Sequence, residues 1–336
     1  MRILAISSEK SGCKYHRISL PIGMMNDVTG KITNAIVKED LEQKWDIVNY
    51  NRMSMFDADF NFFKNEYGFK FVMDLDDDWI LPTNHINYYD FNNNKERIEN
   101  NIRCADLVTV TNKRLYDKVK QFNDYVTILP NALPYETGQF IDNKIESDKI
   151  RIFWCGSITH EGDLESIKNP LKRLKCYANN IEMVIGGYDE VNNMSKWLWD
   201  KMVGYFTCSK QLPYKILPSL PPNEYMSMYD NADIILIPLM ESEWSASKSN
   251  LKILEAASRG VTVICQAVEP YINDYDAPVL WVYNQSDWFK HLNFLINNPE
   301  KIKEYGQKTK EWAARKYNFH SINEQRKRAF EGVIKT

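Results

Sequence analysis

No apolar run in this sequence extends much beyond about six residues, as in "IILIPL" at Ile234–Leu239, whereas a membrane-spanning helix needs ~20. The opening "MRILAISSEKSG" has too short an apolar stretch for a secretory leader and is expected to form a first strand. The six cysteines (Cys13, Cys104, Cys155, Cys176, Cys208 and Cys265) contain no CxxC pair, and several fall in or beside expected strands. Reduced core thiols in a cytoplasmic protein fit this pattern better than a disulfide framework. The dinucleotide fingerprint GxGxxG is missing, and so is any short-period repeat or low-complexity tract.

What is present is ordinary globular composition: 44% hydrophobic and 26% charged over 336 residues, a length that favours two domains. The net charge of −3 is unevenly spread. From Lys301 to Thr336, ten Lys/Arg stand against four Glu, a net of +6, which leaves −9 for the rest. Such a tail can face a membrane surface, a nucleic acid or an acidic substrate, or be a solvated helix face.

Apolar, β-branched runs alternate with helical spacing, which predicts an α/β protein with parallel sheets. Strands are expected at Arg2–Ser7, Asp46–Asn51, Phe69–Asp74, Asp106–Thr111 and Tyr125–Pro130. A polar, turn-rich segment then intervenes, and the pattern restarts at Ile150–Gly156, Ile181–Gly187, Tyr214–Leu220, Asp233–Leu239, Val261–Gln266 and Val279–Tyr283. The implied domains are 1–135, a linker at 136–149, and 150–318, with a closing helix at 319–336. Two doubly wound, Rossmann-like domains facing a cleft would bind ligands outside the carboxyl ends of their strands.

"SKSNLKILEAASRG" (Ser247–Gly260) places a polar cluster at the start of a short helix directly after a buried strand. The first amides of a helix lack partners and the dipole is positive there, so an anion is a natural ligand. On spacing alone, Leu251, Ile253, Leu254 and Ala257 form the apolar arc. Glu255 then falls on an outer stripe with Lys252 and Arg259, where ion pairs can form. Ser249 or Asn250 would cap the helix.

"NADIILIPLMESEWSASKSNLKILEAASRGVTVICQ" resembles the nucleotide-sugar motif of retaining GT-B glycosyltransferases, in bacterial and phage forms. That family carries two glutamates seven residues apart; Glu255 matches the second, which holds the donor ribose, and Ser247 stands at the first. Ser249, Asn250 and Leu251 match the turn whose amides meet the donor phosphate, with Lys248 adding charge. In "RIFWCGSITHEGDLE", Gly156 matches a family glycine, Ser157 stands where an arginine is common, and His160 lies near the usual lysine. In "LPSLPPNEYMSMYDNADI", Ser219 and Leu220 correspond to the base contacts. The tail "HSINEQRKRAFEGVIK" resembles the GT-B helix that crosses back onto the first domain, with Ile322, Ala329 and Val333 packing and Arg326, Lys327 and Arg328 solvated.

Two acceptor-side stretches remain. "SGCKYHRISLP" (Ser11–Pro21) is expected as a loop in which Gly12, Lys14, Tyr15 and Arg17 address phosphate or acceptor, with His16 an ordinary loop residue. "DLDDDW" (Asp74–Trp79) sets four Asp in five positions at a strand end, where Mg²⁺ binding or helix capping are both open; no metal is assigned. Asp76 and His85 are placed on the acceptor side, and His291 and His320 are read as structural.

The resemblance implies a retaining transfer from a UDP- or GDP-sugar to an acceptor hydroxyl, with Lys248, Glu255 and His160 as the catalytic candidates. No cofactor beyond the donor is implied. A bacterial glycan is the expected acceptor; a hydroxymethylated pyrimidine in phage DNA is the alternative. The first 135 residues carry 19 Asp/Glu against 17 Lys/Arg, which does not favour duplex binding. A sugar-nucleotide epimerase and an inactive nucleotide- or glycan-binding module are the readings from other classes.

Overall fold

The computed structural model describes residues 1–6, 12–55 and 57–335. Ser7 of the expected first strand and Ser11 of the following stretch lie outside the described residues. The chain divides into two compact units: Met1–Ala132 with Ala246–Ser249 and Phe319–Thr336, and Leu133–Ser245 with Asn250–Asn318.

The first unit holds a six-stranded parallel sheet in the order β2-β1-β3-β4-β5-β6. Its strands are β1 (Arg2–Ile6), β2 (Thr29–Thr33), β3 (Ile47–Asn51), β4 (Lys70–Leu75), β5 (Leu107–Val110) and β6 (Val126–Ile128). Val48 pairs with Leu4 on one side and Phe71 on the other. Alternation within the strands splits the core in two, because successive side chains point to opposite faces. Leu4, Val48, Tyr50, Phe71 and Met73 pack with Phe60, Trp79, Ile98 and Leu115 on one face. Ile3, Ala5, Ile47 and Val72 meet Ile18, Ile22, Phe330 and Val333 on the other. The last two residues belong to the C-terminal helix Phe319–Lys335, whose Asn323 also donates to the Pro21 carbonyl at 2.9 Å.

The second unit repeats the plan, in the order β12-β11-β10-β7-β8-β9 and again parallel. Here β7 is Ile150–Cys155, β8 Ile181–Tyr188, β9 Tyr214–Pro218, β10 Ile234–Ile237, β11 Thr262–Gln266 and β12 Leu280–Val282. Trp154, Met183, Ile234 and Ile264 anchor a core closed by Leu164, Trp199 and Trp288 from the surrounding helices. Asn192 and Asn284 begin two of those helices by accepting the amides of Ser195 and Ser286, which satisfies donors a helix start leaves open.

Three expectations are corrected. β2, "TGKIT", was not foreseen, because an exposed edge strand needs no apolar run. The stretch after β1 is helical from Gly12, with a π-turn at Tyr15–Ser19, rather than a loop. Arg326 is not solvated: it is 4% exposed, and burial together with the charge of Arg17 brings its pKa down to about 9.

Candidate active site

Parallel strands put all their carboxyl ends on one edge; in the chain, positions 156–160, 219–220 and 247–255 follow β7, β9 and β10, and position 76 follows β4. In the second unit the order reverses beside β7, which neighbours both β8 and β10. Ligands of open α/β sheets bind at such a switch point. The loop after β7 begins at Gly156, and the helix Leu251–Ser258 lies between β10 and β11 in the chain.

That helix starts without a side-chain cap. The Asn250 amide group donates to Asp274 Oδ2 at 2.6 Å instead, and the Tyr317 hydroxyl donates to the same carboxylate. The Asn250 carbonyl accepts from Ile253 and Leu254. Among the described residues, the amides of Leu251 and Lys252 have no acceptor, as the first turn of a helix leaves them. This is a positive helix end with two open donors.

Glu255, one turn further on, is not on an outer stripe. The helix is buried nearly all round, and Glu255 is 6% exposed. Its Oε1 accepts from the Tyr225 hydroxyl and its Oε2 from the Tyr229 hydroxyl at 2.6 Å. Burial raises the carboxyl above its usual range, against the lowering effects of Lys252 and the two tyrosines. The expected ion-pair partners are engaged elsewhere. Lys252 donates to the Cys155 carbonyl at 2.6 Å, and Arg259 is paired with Asp230 at 2.6 Å. The tyrosines were missed in the sequence because their distance from Glu255 along the chain, 30 and 26 positions, hides the contact.

Gly156 sits where a side chain would meet the Trp154 ring at 2.9 Å. Facing it, Gly187 has φ +91°, and a Cβ there would lie 2.3 Å from the Gly156 carbonyl. Both glycines therefore keep backbone where a side chain would stand. Gly187→Ala is expected to cost at least about 1–3 kcal/mol of strain and to lower the melting temperature, read by calorimetry. Ser157 is exposed and bonded to Thr159. His160 is held by Asp163 at 2.7 Å, whose other oxygen accepts the Met240 amide. Ser219, its amide on the Tyr188 carbonyl, and Leu220 follow the end of β9.

In the first unit, the four Asp of "DLDDDW" diverge onto four cations. Asp74 pairs with Arg17 at 2.9 Å, Asp76 with Arg52 at 3.7 Å, Asp77 with Lys248 at 3.1 Å and Asp78 with Lys118 at 2.5 Å. Among the described residues no three His, Cys, Asp or Glu side chains converge as a metal site. Around Ser247–Ser249 the contacts are dense. Asp78 accepts from Ser247 at 3.3 Å, Asn112 donates to the carbonyls of Ser247 and Lys248, and Asn131 donates to Ser249 at 2.7 Å.

Arg17, expected to reach a ligand, is instead 2% exposed. Its guanidinium grips both Asp74 oxygens and also donates to Leu129 O and Asn131 Oδ1. Its neighbour His16 is also buried rather than in a loop, and burial lowers its pKa to about 4. Gly12 is exposed, and Lys14 and Tyr15 are half-buried; desolvation lowers the Lys14 pKa. At Asp76, burial acts to raise the pKa, but Arg52 and Cys13 outweigh it and the carboxyl lies below its usual range. His85 lies in a turn and accepts the Asn87 amide at 3.1 Å.

The family described as glycosyl transferase-like matches residues 167–326. No curated protein matches the sequence. Among solved structures, the chain is similar to a sucrose-phosphate synthase from Thermosynechococcus elongatus, with TM-score 0.66 and 10% identity over 99% of each chain. It is similar to Anabaena Alr3699/HepE in complex with UDP and glucose, with TM-score 0.66 and 10% identity over 98% of this chain and 99% of that one. An α-glucosyltransferase in complex with UDP and a 13-mer DNA containing an HMU base matches with TM-score 0.65 and 13% identity, over 98% and 99%.

Proposed function

We propose that this chain is a glycosyltransferase that transfers sugar from a UDP- or GDP-sugar to an acceptor hydroxyl with retention of anomeric configuration. The reading is supported by the glycosyl transferase-like match over residues 167–326 and by the fold likeness to structures in complex with UDP. The observation that carries the reading is the open helix start at Leu251–Lys252 with the buried Glu255 carboxylate one turn behind it. Open amides suit the diphosphate, and a fixed carboxylate suits the ribose hydroxyls. Leu251, Lys252 and Asn250 would hold the phosphates, and Lys248 and Ser249, just ahead in the chain, would add charge and a hydroxyl. Gly156 and Ser157 would border the phosphates, and Ser219 and Leu220 the base.

Charge develops on the departing diphosphate, so preorganised amides and ammonium groups aimed at it lower the barrier. His160, aimed by Asp163, is the proposed contact on the sugar side. A glycan hydroxyl is the proposed acceptor, met by Gly12, Lys14, Tyr15, Asp76 and His85. A hydroxymethylated base in DNA is the second reading, favoured by the similarity to the DNA-bound α-glucosyltransferase.

The test begins with thermal unfolding against UDP, GDP, ADP and dTDP. A ligand at 100 times its Kd adds about 2.7 kcal/mol, and one base is expected to stand out. The corresponding sugar nucleotide is then offered with glycan acceptors and with hydroxymethyluracil DNA, and the product anomer is read by NMR. An inverted product would reject retention. Isomerised donor without acceptor would favour the epimerase reading, and bound nucleotide never released as diphosphate the inactive module.

A further inference from the structure

The two tyrosines on Glu255 are not equivalent. Tyr229 is fully buried, whereas Tyr225 is half-buried. The Tyr229 hydroxyl donates to Oε2 at 2.6 Å and itself accepts from the Cys155 thiol at 3.3 Å, so it is fixed from both sides. Tyr225 stands at the start of the short helix Tyr225–Asn231, four residues ahead of Tyr229. Its hydroxyl donates to Oε1 in a bond that is only partly buried, whereas the Tyr229 bond to Oε2 is buried. We propose that Tyr229 is the positioning residue of Glu255, while Tyr225 is an exchangeable partner whose hydroxyl yields Oε1 to a hydroxyl of the bound ribose.

This deepens the donor reading above and rests on it. A buried carboxylate must keep hydrogen bonds to stay ionised and aimed. One oxygen bonded from the interior preserves orientation when the other changes partner. A ligand hydroxyl replacing a tyrosine hydroxyl leaves the number of bonds to Oε1 unchanged, so the exchange adds no unsatisfied group.

The groups facing the carboxylate are Tyr225 and Tyr229 from one helix, Lys252 from its own helix, Cys155 from β7, and Tyr135. Burial raises the Cys155 thiol and the hydroxyls of Tyr229 and Tyr135, so these face the carboxylate uncharged near neutral pH. The sign follows. Ribose hydroxyls donate to the ionised form, so donor affinity falls as pH drops through the raised Glu255 pKa. Losing the Tyr229 hydroxyl removes a bond to the charged form and moves that loss to higher pH.

The experiment titrates UDP and GDP calorimetrically into the wild type and into Tyr229→Phe, Tyr225→Phe and Glu255→Gln, from pH 5 to 8. For the nucleotide that binds, Tyr229→Phe is expected to weaken affinity about tenfold and to shift the acid limb upward. Tyr225→Phe is expected to stay within about twofold of wild type, with the limb nearly in place. Calorimetric stoichiometry counts folded protein, and Tyr225→Phe alters only a half-buried hydroxyl, so that arm stands even if Tyr229→Phe folds poorly. Equal losses in both phenylalanine variants, or no loss and no shift in Tyr229→Phe, would overturn the division of roles. Unchanged binding in Glu255→Gln, or no binding of either nucleotide to the wild type, would overturn the donor reading as well.

Discussion

Glu255→Gln is expected to lower kcat/KM for the sugar-nucleotide donor by about 10–100-fold, the worth of losing charged hydrogen bonds to a ligand at ~1.5–3 kcal/mol. The same change should leave stability within about 1 kcal/mol, since replacing a buried charge by a neutral group of equal shape is often neutral. The pH dependence separates the two quantities. The folded-state pKa of Glu255 lies above its ordinary value, so the folded chain binds the proton more tightly than the unfolded one. Its contribution to stability therefore grows as pH falls through that window and is lost above it. Glu255→Gln should remove this component from melting curves between pH 4 and 7 while reducing nucleotide-dependent stabilisation by about 1.4–2.7 kcal/mol at saturating ligand. A variant that melts early at every pH and binds normally would place Glu255 in the scaffold alone.

The largest stability effect is expected at Arg17. Arg17→Met leaves Asp74, 1% exposed, with the Thr109 hydroxyl at 2.6 Å but without the bidentate cation that now neutralises it. Breaking one side of a buried ion pair costs about 3–5 kcal/mol, a large share of the 5–15 kcal/mol that typically holds a domain. Arg326 lies in the same electrostatic neighbourhood, and its pKa should rise when the competing Arg17 charge is gone. Urea denaturation followed by two probes would locate the loss in the first unit if the two transitions separate. In Arg17→Met/Asp74→Leu much of the stability should return, because no orphan charge remains. If Arg17 served a ligand instead, Arg17→Met would unfold like wild type and bind less.

The two arginines and Glu255 show where sequence reading stops. Spacing on the Leu251–Ser258 helix put Glu255 on a solvated stripe, and the tail pattern put Arg326 in water. Both are buried, because a short helix between two strands, or one laid on a sheet face, can be covered on more than its apolar side. Burial is a property of the neighbours, and a residue's own segment does not report it.

The strands, by contrast, were legible because their signal is local. Runs such as "FKFVMD" and "DIILIPL" pair β-branched and aromatic residues with short length, and each lies within two residues of an observed strand. The order of apolar runs and helical spacing thus determined two parallel α/β units, and the stretch around Glu255 determined the family resemblance. Only the tertiary structure decided what Glu255 and the aspartates of "DLDDDW" touch. Tyr229, Arg52, Lys118 and Arg17 are brought to them by strand crossovers spanning tens of residues. Hydrogen bonds and ion pairs form by distance in space, and the chain order carries no record of those distances.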